Sequence, residues 1–335
     1  MTIADAHVDL LSELHHRRAE ERPFGRHWLG QLRAGGVALQ VCPTFASDRE
    51  LLPELALRRT LEQIGEWHRA AREQPGEVVR LRDQRDLRAV REQGRIGLLL
   101  AMEGAEALGV DAGLVGPLWE LGLRMVGLTW NHRNAFADGA AESSDGGLSR
   151  RGVALVDRLL EQGIALDLAH ASPRTFAQVL ERAEGRPVLV SHAACRAVHD
   201  HERNLTDAQL EALAAAGGML CLMALPFTID PARPTVERLV DHVDHAVAVM
   251  GIEHVGLGGD FMHQLMVATG HVPPPGMGLP SDPEQAAIRG LRGPQDYAAL
   301  VAALRARGYA DGPLAAVTAE NLFELVARTL PEEAP

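Results

Sequence analysis

Short apolar runs rich in leucine or β-branched residues alternate along the chain with longer stretches whose apolar positions recur at helical spacing. The runs predict strands over residues 3–10, 36–45, 95–103, 122–130, 163–170, 186–192, 217–224 and 254–260. The stretches at 48–74, 83–93, 111–121, 149–161, 173–184, 206–216 and 234–250 are amphipathic and predict helices. Several strands open on the Gly or Pro expected where a helix turns back into a strand. Ser172 before Pro173, and Thr206 with Gln209, supply caps at two of the helix starts. Eight strands, each followed by helical sequence, predict an α/β fold: a parallel sheet closed into a (β/α)8 TIM-type barrel rather than an open doubly wound sheet. Gly256-Leu257-Gly258-Gly259 is the nearest approach to a dinucleotide fingerprint, but it runs into Asp260 instead of opening a helix.

Residues 261–293 break this rhythm. They include His271-Val272-Pro273-Pro274-Pro275-Gly276, show little periodicity, and predict a long loop after the eighth strand, ahead of C-terminal helices at 294–307 and 313–329. Loops beyond about 12–15 residues in compact domains often act as lids or binding loops. In a barrel this one would lie over the C-terminal face, where active sites sit. The whole chain, 1–335, then reads as one domain with 261–293 as its lid or substrate loop.

Composition narrows the partners. The formal net charge of −12 argues against nucleic acid or an anionic membrane. All 33 basic side chains are arginine, which a GC-rich coding background explains. The absence of lysine still excludes a Schiff-base lysine, a P-loop lysine and a carbamylated lysine bridging two metals. Cys42, Cys195 and Cys221 are scattered and form no C-x-x-C, which suits a reducing compartment. No basic and apolar leader pattern and no apolar run of membrane-spanning length is evident, so the expectation is a soluble cytoplasmic protein.

The polar residues at strand ends carry the chemistry. On a strand, His7 and Asp9 would point to one face, where an imidazole nitrogen and a carboxylate oxygen can converge on a divalent metal. Taken alone, so short a pattern reads as well as a local hydrogen bond. Glu103 after its apolar run could cap the following helix, and His170 and His192 could be hydrogen-bonded core residues. As a set, however, these five fall at the predicted C-terminal ends of the first, third, fifth and sixth strands, which a barrel brings to one mouth. Three histidines and two carboxylates are ligands that suit zinc. With no lysine to carbamylate, Glu103 is the natural bridge between two ions.

At these residues the chain resembles the membrane (renal) dipeptidase family, metallopeptidases of the amidohydrolase-like barrel group. The resemblance runs through Asp5-Ala6-His7-Val8-Asp9-Leu10, Met102-Glu103-Gly104, Gly122-Leu123-Arg124 to Leu128-Thr129-Trp130-Asn131, and Gly147-Leu148-Ser149 with Gly152. Its most specific blocks are Ile164-Ala165-Leu166-Asp167-Leu168-Ala169-His170-Ala171-Ser172 and Val190-Ser191-His192, continuing to Asp200-His201-Glu202-Arg203-Asn204-Leu205-Thr206-Asp207. Val255-Gly256-Leu257-Gly258-Gly259-Asp260-Phe261 and Thr318-Ala319-Glu320-Asn321 extend it towards the C-terminus. The resemblance implies two zinc ions per chain: His7 and Asp9 on one, His170 and His192 on the other, Glu103 bridging both. It also implies that Arg203 positions substrate and that Asp260 shuttles a proton beside a metal-bridging hydroxide. The competing readings are a surface ion pair in a polar loop for Arg203 and a helix cap for Asp260, but their places after the sixth and eighth strands favour the functional roles.

Two departures stand out. Animal members carry a histidine where this chain has Trp130, as is expected of many bacterial members; His132, two residues on, is the candidate substitute. Members commonly continue the last motif as Asp-Phe-Asp-Gly, whereas this chain reads Asp260-Phe261-Met262-His263. The implied function is hydrolysis of small L-L and L-D dipeptides; members are often homodimers, and the sequence itself does not give the oligomeric state. The alternatives are an amidohydrolase specialised for a biosynthetic or Cys-Gly-conjugate substrate, and a ligand-binding descendant with little peptidase activity. A lactonase, deaminase or phosphoesterase would share barrel and metals but not the block from Asp200 to Asp207, and a metal-free barrel would need neither the histidines nor Glu103.

Overall fold

The structure is a computed structural model that describes residues 1–46, 52–270 and 280–334. Among these residues the strands are β1 Ile3–Asp5, β2 Val37–Phe45, β3 Val78–Leu81, β4 Ile96–Glu103, β5 Leu123–Gly127, β6 Ala165–Asp167, β7 Val188–Ala193, β8 Met219–Leu222 and β9 Val255–Leu257. All pairings between them are parallel. The order β2-β1-β9-β8-β7-β6-β5-β4 closes on itself, because β2 also pairs with β4 over 39–45 against 97–103. The eight strands so joined form the expected TIM-type barrel.

Alternation along the strands divides the core in two. Leu39, Val41, Leu99, Ala101, Met125, Ala165 and Leu189 fill the barrel, while their neighbours Cys42, Leu98, Leu100, Val126, Leu166, Val188 and Val190 face the helices. Burial on both faces is what makes these strands read as continuous apolar runs. Asn321, at the start of the helix Asn321–Thr329, donates to the Ile252 and Val255 carbonyls at 2.7 and 2.8 Å. That seats Leu322, Phe323 and Val326 against the inner core where β9 begins, opposite the mouth.

Local signals hold where they were strongest. Ser172 accepts from Thr175 N–H, and Thr206 forms a capping box with Gln209. Three features differ from expectation. The first strand stops at Asp5, and residues up to β2 form short helices Leu10–His16, Pro23–His27 and Leu29–Gly35. Helices of five to seven residues are too short to show a period. β3 was not expected either; its four residues pair only with the first half of β4, outside the closed ring. Finally, the segment 261–293 is not one loop in its described part, since it holds the helix His263–Thr269 and a single turn Pro283–Gln285. Its run from His271 to Gly276 lies outside the described residues. Among those described, no helix is long and apolar enough to cross a membrane.

One glycine lets the chain leaving β9 pass close to Ser191 of β7. A Cβ on Gly258 would stand 1.8 Å from the Ser191 carbonyl oxygen, a backbone atom that cannot swing away. Gly258→Ala is therefore expected to lower unfolding stability by about 3 kcal/mol, at the upper end of overpacking costs. Denaturant unfolding checks this; a loss below about 0.5 kcal/mol would show that the two strands can part freely.

Candidate metal centre at the barrel mouth

The chain leaves β1 at Asp5, so His7 and Asp9 do not share a strand face as expected; Asp9 instead precedes the helix Leu10–His16. They still reach the mouth, and the ligand atoms of His7, Asp9 and Asp260 lie within 4.8 Å of one another. Glu103 is the last residue of β4. His192 lies in β7 where its register against β8 shifts, between Val190 and Ala193. His170 and Asp260 each stand three residues beyond their strands, and both adopt left-handed backbone, with φ of 64° and 49°. Only a few per cent of non-glycine residues do so, and such strain gathers at functional sites.

Glu103 sits at the centre of the group. Its Oε1 lies 3.0 Å from His170 Nε2 and 3.5 Å from His192 Nε2, and its Oε2 lies 3.8 Å from His7 Nε2. His7 Nε2 is in turn 3.9 Å from Asp260 Oδ1. His7, Glu103 and His192 form a second group whose ligand atoms fall within 4.8 Å.

Hydrogen bonds behind the rings decide which nitrogens face the mouth. Asn131 Oδ1 accepts from His170 Nδ1 at 2.6 Å. Ser191 Oγ donates to Asp167 Oδ2 at 2.5 Å, so it can only accept from His192 Nδ1, at 2.8 Å. Both rings thus carry their proton on Nδ1, and their bare Nε2 atoms face each other at 2.8 Å. One proton on Glu103 can serve only one of these lone pairs; a cation serves both. Asp9 Oδ1 is also buried without a hydrogen-bond partner among the described residues. Orphaned acceptors converging from imidazoles and carboxylates fit a divalent metal such as zinc.

The electrostatics agree. Burial first, and the Arg203 charge second, lower His7 to about 3. Burial also holds His170 and His192 well below the usual histidine range, which keeps them neutral as ligands must be. It raises Asp9 to about 6. Burial and then the Asp9 charge raise Asp260 to about 8, and burial with both aspartates pushes Glu103 well up. Burial therefore favours the protonated form of these acids without a cation, and a bound cation favours the ionised form.

Two further carboxylates hold the strand ends together. Asp5 Oδ1 accepts from the His7 and Gly259 N–H groups, each at 3.0 Å, which joins the ends of β1 and β9. Its Oδ2 accepts from Tyr297 Oη at 2.7 Å. Asp167 Oδ1 accepts from the Ala169 and Ser191 N–H groups at 3.0 Å, which joins β6 to β7. Asp5, Asn131, Asp167, Ser191 and Tyr297 were not singled out in the sequence. A carboxylate inside the apolar run Ile164-Ala165-Leu166-Asp167-Leu168-Ala169 was a usable signal, whereas nothing near Tyr297 pointed to Asp5.

Arg203 is half-buried and donates from Nη2 to the His192 carbonyl at 3.5 Å, which places it beside the imidazoles rather than in a surface ion pair. Asp260 does not cap the helix His263–Thr269, whose N-cap is Met262; its own N–H donates to the His7 carbonyl at 2.9 Å. The Trp130 ring lies 6.0 Å from that of His170 and packs edge-on against Phe45 at 5.3 Å. His132 has Nδ1 3.8 Å from Glu142 Oε1, and its ring lies 6.4 Å from that of Trp130. His263 Nε2 lies 2.9 Å from Glu284 Oε1.

The family model described as membrane dipeptidase (peptidase family M19) matches residues 1–273. Dipeptidase verJ of Clonostachys rogersoniana is 33% identical over 250 residues, which are 72% of this chain and 64% of that one. This chain therefore spans a little less than two thirds of that relative's length. A metallopeptidase from Rhodobacter sphaeroides, solved with a phosphinate mimic of L-Ala-D-Ala, superposes with a TM-score of 0.85 at 24% identity, covering 98% of this chain and 99% of that one. The metallopeptidase dipeptidase AC superposes with a TM-score of 0.84 at 25% identity, over 98% of each chain.

Because burial raises Asp9 to about 6 and Asp260 to about 8 in the metal-free state, zinc binding is expected to release protons and to tighten as pH rises from about 6 to 8. Calorimetry in buffers of different ionisation enthalpy measures this. Binding that is pH-independent and releases no proton would contradict it.

Proposed function

The chain belongs to the membrane dipeptidase family, and we propose that it is a binuclear zinc dipeptidase acting on small L-L and L-D dipeptides. The observation that carries the proposal is the pair of bare imidazole nitrogens 2.8 Å apart beside Glu103. In this reading His7 and Asp9 hold one ion, His170 and His192 the other, and Glu103 serves both. The chemistry the ions supply when bound is activation of water and polarisation of the amide carbonyl.

The chain's own residues do the rest. Asp260 sits beside His7 at the mouth, where its carboxylate is placed to take up and return a proton. It takes the proton of the attacking water and returns it to the leaving amine. Arg203, buried enough to be lowered to about 10 yet still cationic, offers its planar fork to the substrate carboxylate. Trp130 walls the mouth beside His170, and His132 binds substrate from further out. A mouth this crowded with ligands and one carboxylate clamp favours dipeptides over longer peptides.

Residues 1–335 act as one domain in this reading, with 261–293 as the substrate loop. The three buried free cysteines suit the cytoplasm, and homodimerisation follows the family habit. A Cys-Gly conjugate or biosynthetic amide is the second reading, favoured by His263 tied to Glu284 where the family commonly has glycine.

Zinc-loaded protein is expected to cleave L-L or L-D dipeptides and to lose activity with a chelator; no turnover of any dipeptide or Cys-Gly conjugate with zinc bound would overturn the proposal. Asp260→Asn is expected to lower kcat by about 10²–10⁴-fold at unchanged zinc content, as loss of a general base does. Arg203→Met is expected to act chiefly on KM, lowering kcat/KM about 100-fold, as for a lost charge-assisted bond of about 3 kcal/mol. Steady-state kinetics with metal analysis reads both, and near-normal kcat in Asp260→Asn would remove the proton-shuttle role.

A further inference from the structure

Behind His192 lies a chain of three buried groups that the proposed reaction does not use directly. Asp167 accepts from the Ala169 N–H, the Ser191 N–H and the Ser191 hydroxyl. The serine's only proton is thus committed to the carboxylate, and its oxygen meets His192 Nδ1 at 2.8 Å as an acceptor. A neutral imidazole has one N–H to place. Drawn to Nδ1, it leaves Nε2 bare towards Glu103 and His170. If the hydroxyl were free to donate, the proton would move to Nε2 and the lone pair would turn away from the mouth.

The backbone tells the same story. The register of β7 against β8 shifts between Val190 and Ala193, so the ladder does not fix the segment carrying Ser191 and His192. The Asp167 carboxylate holds it instead, through the Ser191 N–H. His170 Nδ1, by contrast, is met by the neutral amide of Asn131. A carboxylate behind a histidine raises its basicity as a ligand and fixes its ring; a neutral amide does less.

We propose that Asp167 and Ser191 are positioning residues, a carboxylate–hydroxyl–imidazole relay that sets the tautomer and ring orientation in which His192 meets a divalent cation. The proposal rests on the metal-centre reading for its purpose, but the tautomer is a property of the metal-free chain and is measured separately.

The test compares wild type with Ser191→Ala, Ser191→Thr and Asp167→Asn. Long-range proton–nitrogen NMR of the histidine rings in the metal-free protein is expected to show His192 as a single Nδ1–H tautomer in wild type and Ser191→Thr. Ser191→Ala is expected to show a mixture. Asp167→Asn, whose amide can donate to the serine and reverse the chain, is expected to favour Nε2–H. Zinc affinity, read by competition with a chelator, is expected to fall about 10–100-fold in Ser191→Ala and to be recovered by Ser191→Thr. A purely structural role would lower the melting temperature while leaving tautomer and affinity alone. A wild-type-like tautomer in Ser191→Ala, or zinc affinity within about twofold of wild type, overturns the relay. Wild type that shows the tautomer but binds no zinc overturns the metal-centre reading instead.

Discussion

Two imidazole nitrogens without protons, His170 Nε2 and His192 Nε2, face each other at 2.8 Å beside a buried carboxyl. Left to themselves, two acceptors at that distance repel, and a buried polar atom without a partner costs about 1–3 kcal/mol. A fold optimised for stability alone would fill this mouth with apolar side chains. It instead gathers His7, Asp9, Glu103, His170, His192 and Asp260 there, all but Asp9 buried, with Arg203 among them. The deficit could be met by a metal ion, and the hydrogen bonds around it keep these groups in place.

Two buried aspartates maintain it in parallel ways. Asp5 spans β1 and β9, whose pairing register is the single residue pair Asp5 and Leu257, and so ties His7 to the turn that carries Asp260. Asp167 spans β6 and β7 and ties His170's strand to His192's. Each takes two backbone N–H groups on one oxygen and one hydroxyl on the other. The hydroxyl on Asp5 comes from Tyr297, beyond the part of the chain matched by the family model. Through it the C-terminal helices are fastened to the mouth as well as to the floor of the barrel. Left-handed backbone at His170 and Asp260 persists because these bonds over-determine it.

The sequence showed the barrel because burial on both faces writes a strand as an unbroken apolar run, and eight of these were visible. β3 escaped notice because Val78-Val79-Arg80-Leu81 is short and lies between two helical stretches. The first strand was drawn too long because Ala6 and Val8 continue its alternation, although the chain has already turned towards Leu10–His16. The strand-end histidines and carboxylates were legible one by one, and their spacing made the group. Ser191 and Asp167 were not, since a serine's role depends on which neighbour takes its proton, and that is a matter of geometry across strands. His132 follows β5, with Nδ1 3.8 Å from Glu142 Oε1 and its ring 6.4 Å from that of Trp130, an arrangement that its sequence position does not disclose.

The proposed function requires two cations at the mouth with Glu103 between them. Anomalous diffraction from zinc-loaded crystals, measured at the zinc edge, tests it most directly. Two peaks about 3.5–4 Å apart are predicted, one against His7 and Asp9 and one against His170 and His192, with a Glu103 oxygen on each. A single peak that leaves either pair empty, or no peak at the mouth at all, would contradict it.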